Sequence, residues 1–350
     1  MEIKGYTYGF FGKRGEYRSE EGIASQDALY DTGVNWMCLA VVMMQKTCMS
    51  TEMHFSFRDS ASDRDLIAAI DRAHKKNVKV CLKPMVNSED NIWRARISFP
   101  DGEDDSDPYW DEWFKNYTDF MTYYAELAEE TGCEMLCIGC EMCGTEYKEK
   151  HWRKLIAEVR KVFSGKVMYN TNHGNELSAK WYDDLDYIGT SAYFPVGVKT
   201  PDNIEEVERK AAEVDAGLAD PSEMPELIPC SDYDVMVKNW KHIADEIQKV
   251  YDRWKKPILF AEIGCRSAKT CASMPWDFKH TDLPHDEQEQ ANFYSSCLEV
   301  FAEKPWFAGA FWWDWSTTIY HTREEAAKDN GFNIHLKLAE TALKEAYARL

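Results

Sequence analysis

The chain has 350 residues, of which 44% are hydrophobic and 13% aromatic, and a formal net charge of −20. That charge argues against nucleic acid and anionic membranes as partners, since both select a positive surface, and it suits a neutral or cationic ligand. No apolar run is long enough to span a bilayer, and the opening MEIKGYTYGFF has no apolar core of signal-peptide length, so a cytoplasmic protein is expected.

Eight strand-like runs follow one another along the chain, at residues 5–11, 34–43, 78–86, 135–142, 166–171, 187–194, 257–263 and 307–315. Helical periodicity fills the gaps. Residues 63–77 place Leu66, Ile67, Ile70 and Ala73 on one face, with acidic residues at the start and basic ones at the end, as the helix dipole favours. Residues 148–163 stripe Trp152, Leu155, Ile156, Val159 and Phe163, and 286–304 and 336–350 repeat the pattern. The stretch 197–234, rich in Pro, Glu and Asp, is expected to be an elaborated loop with its own helix. Eight strands, each followed by a helix, predict one domain over residues 1–350: a closed (β/α)₈ TIM barrel with long loops after its strands. A doubly wound open sheet of this length has fewer strands, and no Gly-x-Gly-x-x-Gly opens an early helix.

In such a barrel the active site lies at the C-terminal ends of the strands. Strand four ends in Glu141 and strand seven in Glu262, each after an apolar wall that makes a carboxylate costly unless it is used. A lone glutamate at a strand end is more often a partner in a salt bridge. A facing pair, with the aromatic-rich GAFWWDWS on strand eight, fits glycoside hydrolysis, in which one carboxyl donates a proton and the other attacks or activates water. Lys83 on strand three could form a Schiff base, but pairing with a carboxylate or contact with substrate hydroxyls is the commoner use of such a lysine. Trp93, in the loop after strand three, is either a lid aromatic or a sugar platform. By alternation Asp314 points away from Trp313 and Trp315, which favours a structural role. His173 has no His or Asp partner at ligand spacing, and no metal or organic cofactor is expected.

The eleven cysteines lie mostly in apolar runs and read as reduced, buried thiols. Three of them, Cys133, Cys137 and Cys140, nevertheless match the C-x₃-C-x₂-C spacing of radical enzymes with an iron–sulfur cluster. Against that reading, the motif lies mid-chain, and strand alternation keeps Cys137 and Cys140 from converging.

The landmarks YGFFGKRGEYRS, AHKKNVKVCLKPMVN with WRARISF, LCIGCEM, DLDYIGTSAYFPV, KPILFAEIGCRS, GAFWWDWS and DNGFNIHLKLAE occur in this order. Together they resemble glycoside hydrolase family 113, a β-mannanase family of the retaining (β/α)₈ clan. The resemblance implies that Glu141 is the acid/base and Glu262 the nucleophile. It also implies that Tyr193 aims Glu262, that Trp313 forms the floor under the sugar, and that Lys83 and Asn172 contact sugar hydroxyls. The implied partner is a β-linked oligo- or polysaccharide. The chain departs from the pattern at Cys140, where the clan usually has Asn, and at Met85 and His173. A gluco-type β-glycosidase, a non-catalytic carbohydrate-binding barrel and the iron–sulfur radical enzyme remain the alternatives.

Overall fold

The computed structural model describes residues 1–102, 107–199, 209–210, 213–214, 218–220 and 228–350. Most of the loop expected over 197–234, and the helix expected within it, lie outside the described residues.

Eight parallel strands close on themselves. They are β1 (Ile3–Tyr8), β2 (Trp36–Gln45), β3 (Lys79–Ser88), β4 (Met135–Cys140), β5 (Lys166–Asn172), β6 (Tyr187–Ser191), β7 (Ile258–Ile263) and β8 (Phe307–Trp315). Each pairs with the next in chain order, and β8 pairs with β1 to shut the barrel. A two-residue strand, Met53–His54, extends the mouth end of β2 antiparallel. This is a single (β/α)₈ barrel, as the alternation of elements predicts.

Among the described residues, seven helices of two turns or more pack outside. They are α1 (Glu20–Tyr30), α2 (Asp63–Lys75), α3 (Pro108–Thr131), α4 (Glu149–Val162), α5 (Tyr233–Trp254), α6 (Glu287–Phe301) and α7 (Leu338–Arg349). Their starts follow capping chemistry. Ser62 and Asp65 form a reciprocal capping box on α2, Pro108 opens α3, and Asp232 and Asp286 cap α5 and α6. The face expected of α2 is right at Leu66, Ile70 and Ala73 but wrong at Ile67, which is 37% exposed. The buried stripe turns instead through Ala69, one helical step from Leu66 and Ala73.

The alternation of β2 sorts the core into layers. Trp36 and Cys38 pack with Ile3, Cys81, Cys137, Met168, Tyr187, Leu259 and Phe311, a cluster drawn from all eight strands and therefore inside the barrel. Ala40 and Val42 join Met85 and Cys140 one layer nearer the mouth. The intervening Met37, Leu39, Val41 and Met43 face the helices. Among the described residues, no helix is long and apolar enough to cross a membrane.

Candidate active site

Two irregularities aim the glutamates. The step from Cys137 to Cys140 on β4 faces the shorter step from Met168 to Asn170 on β5, so β4 carries one extra residue. Cys137 faces the barrel, Ile138 the helices, and Cys140 the barrel again. Cys137 and Cys140 thus share the interior, which strict alternation does not anticipate, but they sit in different layers with different partners. The Cys137 thiol meets the Gly139 carbonyl, whereas the Cys140 thiol meets Glu262. Cys133 lies apart, against Thr131. Among the described residues, no group of three or more His, Cys, Asp or Glu side chains is arranged to hold a metal ion. On β7 the step from Phe260 to Ile263 faces the shorter one from Ala310 to Trp312 on β8. Leu259 and Ala261 face inward, and the bulge turns Glu262 inward as well while sending Ile263 to the helices.

Glu262 is 3% exposed and accepts three hydrogen bonds. Lys83 Nζ reaches Oε1 at 2.5 Å, the Cys140 thiol donates to the same oxygen at 3.2 Å, and the Tyr193 hydroxyl donates to Oε2 at 3.2 Å. Burial alone pushes its carboxyl up. The Lys83 and Arg94 charges, with the hydrogen bonds from Lys83 and Cys140, outweigh burial and hold it below the usual carboxylate range. Glu262 therefore stands ionised. Burial also raises the Cys140 and Tyr193 protons well above their ordinary values, so both groups stay donors. Lys83 is itself fully buried. Desolvation favours its neutral form, but the ionised Glu262 facing it holds its ammonium well above the ordinary value. A lysine kept charged in this way is a counter-ion, not the neutral amine that Schiff-base chemistry needs.

Glu141 follows β4 in a left-handed conformation, φ 52°, fixed by its N–H donating to the Asn170 carbonyl at 2.7 Å. A non-glycine residue held there stores of order 1–3 kcal/mol and is found where geometry is functional. Its Oε2 accepts from Trp93 Nε1 at 3.0 Å and lies 3.8 Å from Arg94 Nη1. Both glutamates act electrostatically on Tyr193 and on Arg94, which places them around one pocket.

Other expected residues surround the pair. Trp313 is half-buried, its ring centroid 5.9 Å from Lys83 Nζ and 4.5 Å from that of Phe10. Tyr6 pairs with Trp312 and Tyr8 with Trp315, so an extra residue in β8 leaves Trp313 and Trp315 on opposite faces. Trp315 donates to the Ser25 carbonyl on the helix side. Asp314 is thereby close enough to feel Glu262, and burial reinforced by that charge pushes its carboxyl up to about 6. Asn172 stands half-buried at the end of β5, two residues beyond Asn170, whose amide donates to Ser191 Oγ and Cys140 Sγ. His173 Nδ1–H donates to the Ser191 carbonyl at 3.1 Å, and the ring stacks on Trp276. Trp93, expected as lid or platform, commits its indole N–H to Glu141. Arg94 carries no role in the sequence reading. Its one signal there is a cation beside the loop tryptophan, just past strand three.

A model of glycoside hydrolase family 113 matches residues 6–337. A solved complex of a β-1,4-mannanase of that family is 33% identical to this chain, covering 100% of both, with a TM-score of 0.83. The family 113 β-mannanase of Alicyclobacillus acidocaldarius, solved with ManMIm, is 32% identical over 99% of this chain and 97% of its own, with a TM-score of 0.83. The β-glucuronidase of Ruminococcus gnavus is 13% identical with a TM-score of 0.58 over 50% of its length, a likeness of fold alone. No curated protein matches.

Proposed function

The chain belongs to glycoside hydrolase family 113 and is a glycoside hydrolase, and we propose that it cleaves β-1,4-mannosidic bonds by double displacement, with retention at the anomeric carbon. The observation that carries this reading is the ionised Glu262, held by Lys83, Cys140 and Tyr193 in one pocket with Glu141. In the first step a Glu262 oxygen bonds to the anomeric carbon as the bond to the leaving oxygen breaks, and Glu141 gives that oxygen its proton. In the second step Glu141, now a carboxylate, takes a proton from water. The water oxygen bonds to the anomeric carbon, and the ester to Glu262 breaks. Retention needs the carboxyl groups only about 5–5.5 Å apart, leaving no room for water between nucleophile and sugar.

Each counter-ion has a part in this scheme. Lys83 and Arg94 keep the nucleophile charged, and Tyr193 holds its second oxygen. Trp313 offers a flat apolar face to the sugar, as carbohydrate C–H surfaces require. The mannan assignment is supported by the two mannanases at 32–33% identity over nearly full length.

The test is a time course on β-1,4-mannotetraose beside cellotetraose, with the anomeric protons followed by NMR. The proposal expects mannotetraose to be cleaved faster and the β-anomer to appear first. Faster cleavage of cellotetraose, or cleavage of neither, overturns the substrate, and an α-anomer overturns retention.

A further inference from the structure

We propose that Trp93 and Arg94 are positioning residues for the acid/base, pinning one oxygen of Glu141 so that the other delivers the proton to the leaving group. The inference rests on the reading of Glu141 as proton donor.

The geometry is asymmetric. Trp93 Nε1 donates to Oε2 at 3.0 Å and Arg94 Nη1 lies 3.8 Å from the same atom, while Oε1 has no hydrogen-bond partner among the described residues. The carbonyl oxygen of a carboxylic acid accepts an N–H more strongly than its hydroxyl oxygen does, and a neighbouring cation favours the same placement. When Glu141 is protonated, Oε2 is therefore the carbonyl oxygen and the proton sits on Oε1. After the first step the charge of the new carboxylate develops opposite the Trp93 N–H and the Arg94 guanidinium. Trp93 and Arg94 thus fix which oxygen holds the proton and stabilise the form left once it is gone.

Both groups are built into the site. Arg94 is buried at 8% exposure, a costly place for a guanidinium without anionic neighbours, and both glutamates face it. Its segment, a short 3₁₀ turn at Arg94–Arg96, packs on the turn that follows Glu141. That contact is made by Gly144. A Cβ there would lie 2.4 Å from the Ile97 carbonyl oxygen and 3.0 Å from that of Ala95. The loop after β3 is thereby packed closely on the turn after β4, which keeps Trp93 and Arg94 beside Glu141.

A mere sugar platform and a positioning donor differ in what they do with the leaving group. Poor leaving groups need the proton, whereas an aryl group such as 2,4-dinitrophenolate departs without it. The experiment measures kcat/KM of Trp93→Phe on mannotetraose and on 2,4-dinitrophenyl β-mannobioside. The expected result is a loss on mannotetraose about tenfold or more beyond the loss on the aryl glycoside. Equal losses on both substrates, or none on either, overturn the inference. Replacing Trp93 with 3-benzothienylalanine, which keeps the ring and lacks the N–H, must give the same split, so poor folding of Trp93→Phe does not decide the matter. Glu141→Ala is the control. It should show the larger split and regain aryl-glycoside turnover with azide. If Glu141→Ala shows no split, the acid/base reading itself is what fails; if it does and the Trp93 variants do not, only the present inference fails.

Discussion

A lysine with no exposed side-chain surface, 2.5 Å from a carboxylate that is itself 4% exposed, is the strongest electrostatic feature of the pocket. Breaking such a pair from one side leaves a charge without its partner. Glu262 is active when ionised. Because its carboxyl is held below the usual range, that form is present above the depressed value and is lost as pH falls through it. Removing the ammonium lets burial dominate and raises the carboxyl. Lys83→Met should therefore move the acid limb of kcat/KM to higher pH by roughly 1–3 units and lower the maximum. A pH profile on mannotetraose in which the limb stays put while activity falls would make Lys83 a substrate contact and not a counter-ion. At this scale the sequence shows Glu141, Glu262, Lys83 and Tyr193, because strand-end polar residues after apolar runs stand out. It places Trp93 of the loop after β3 at the site but does not show Arg94 as a functional group, since only the packed structure, with Gly144 against Ile97, puts its guanidinium beside Glu141. Nor does residue type reveal that Cys140 serves as a donor to Glu262. An expectation built on amide hydrogen bonding to the sugar looks past the nucleophile.

Among the elements, the eight strands are all legible as runs of apolar residues, yet their ends are not. The sixth run is expected to reach Phe194, and the strand stops at Ser191, leaving Tyr193 on the following loop. The bulges on β4 and β7 are the larger gap. Counting alternate residues from Ala261 would turn Glu262 to the helices, and only the extra residue brings it inside. A β-bulge carries no composition of its own, so alternation cannot locate it. Closure of the barrel between β1 and β8 depends on another local feature. Gly309 has φ 145°, and a Cβ there would lie 1.8 Å from the Ile3 carbonyl oxygen. Gly309→Ala should destabilise the fold by about 3 kcal/mol through that clash, seen as a lower urea midpoint. An unchanged midpoint would mean that β8 can shift without loosening closure.

Over the whole molecule, the fold turns chain distance into proximity. More than a hundred residues separate Glu141 and Glu262 in sequence, and the barrel places both at its C-terminal mouth. The order of eight strand–helix units is enough to expect this, because a closed parallel barrel gathers every strand end at one face. What the order of units leaves open is how the two carboxyls face each other, which is set by side-chain contacts among Lys83, Cys140, Tyr193 and Arg94. The most direct test of the account is covalent trapping. Treated with 2-deoxy-2-fluoro-β-mannosyl fluoride, the enzyme should lose activity with time, and peptide mass spectrometry should find one fluoromannosyl group on Glu262. A label on Glu141 or any other side chain, or undiminished activity with no adduct while mannotetraose yields the α-anomer first, would contradict it.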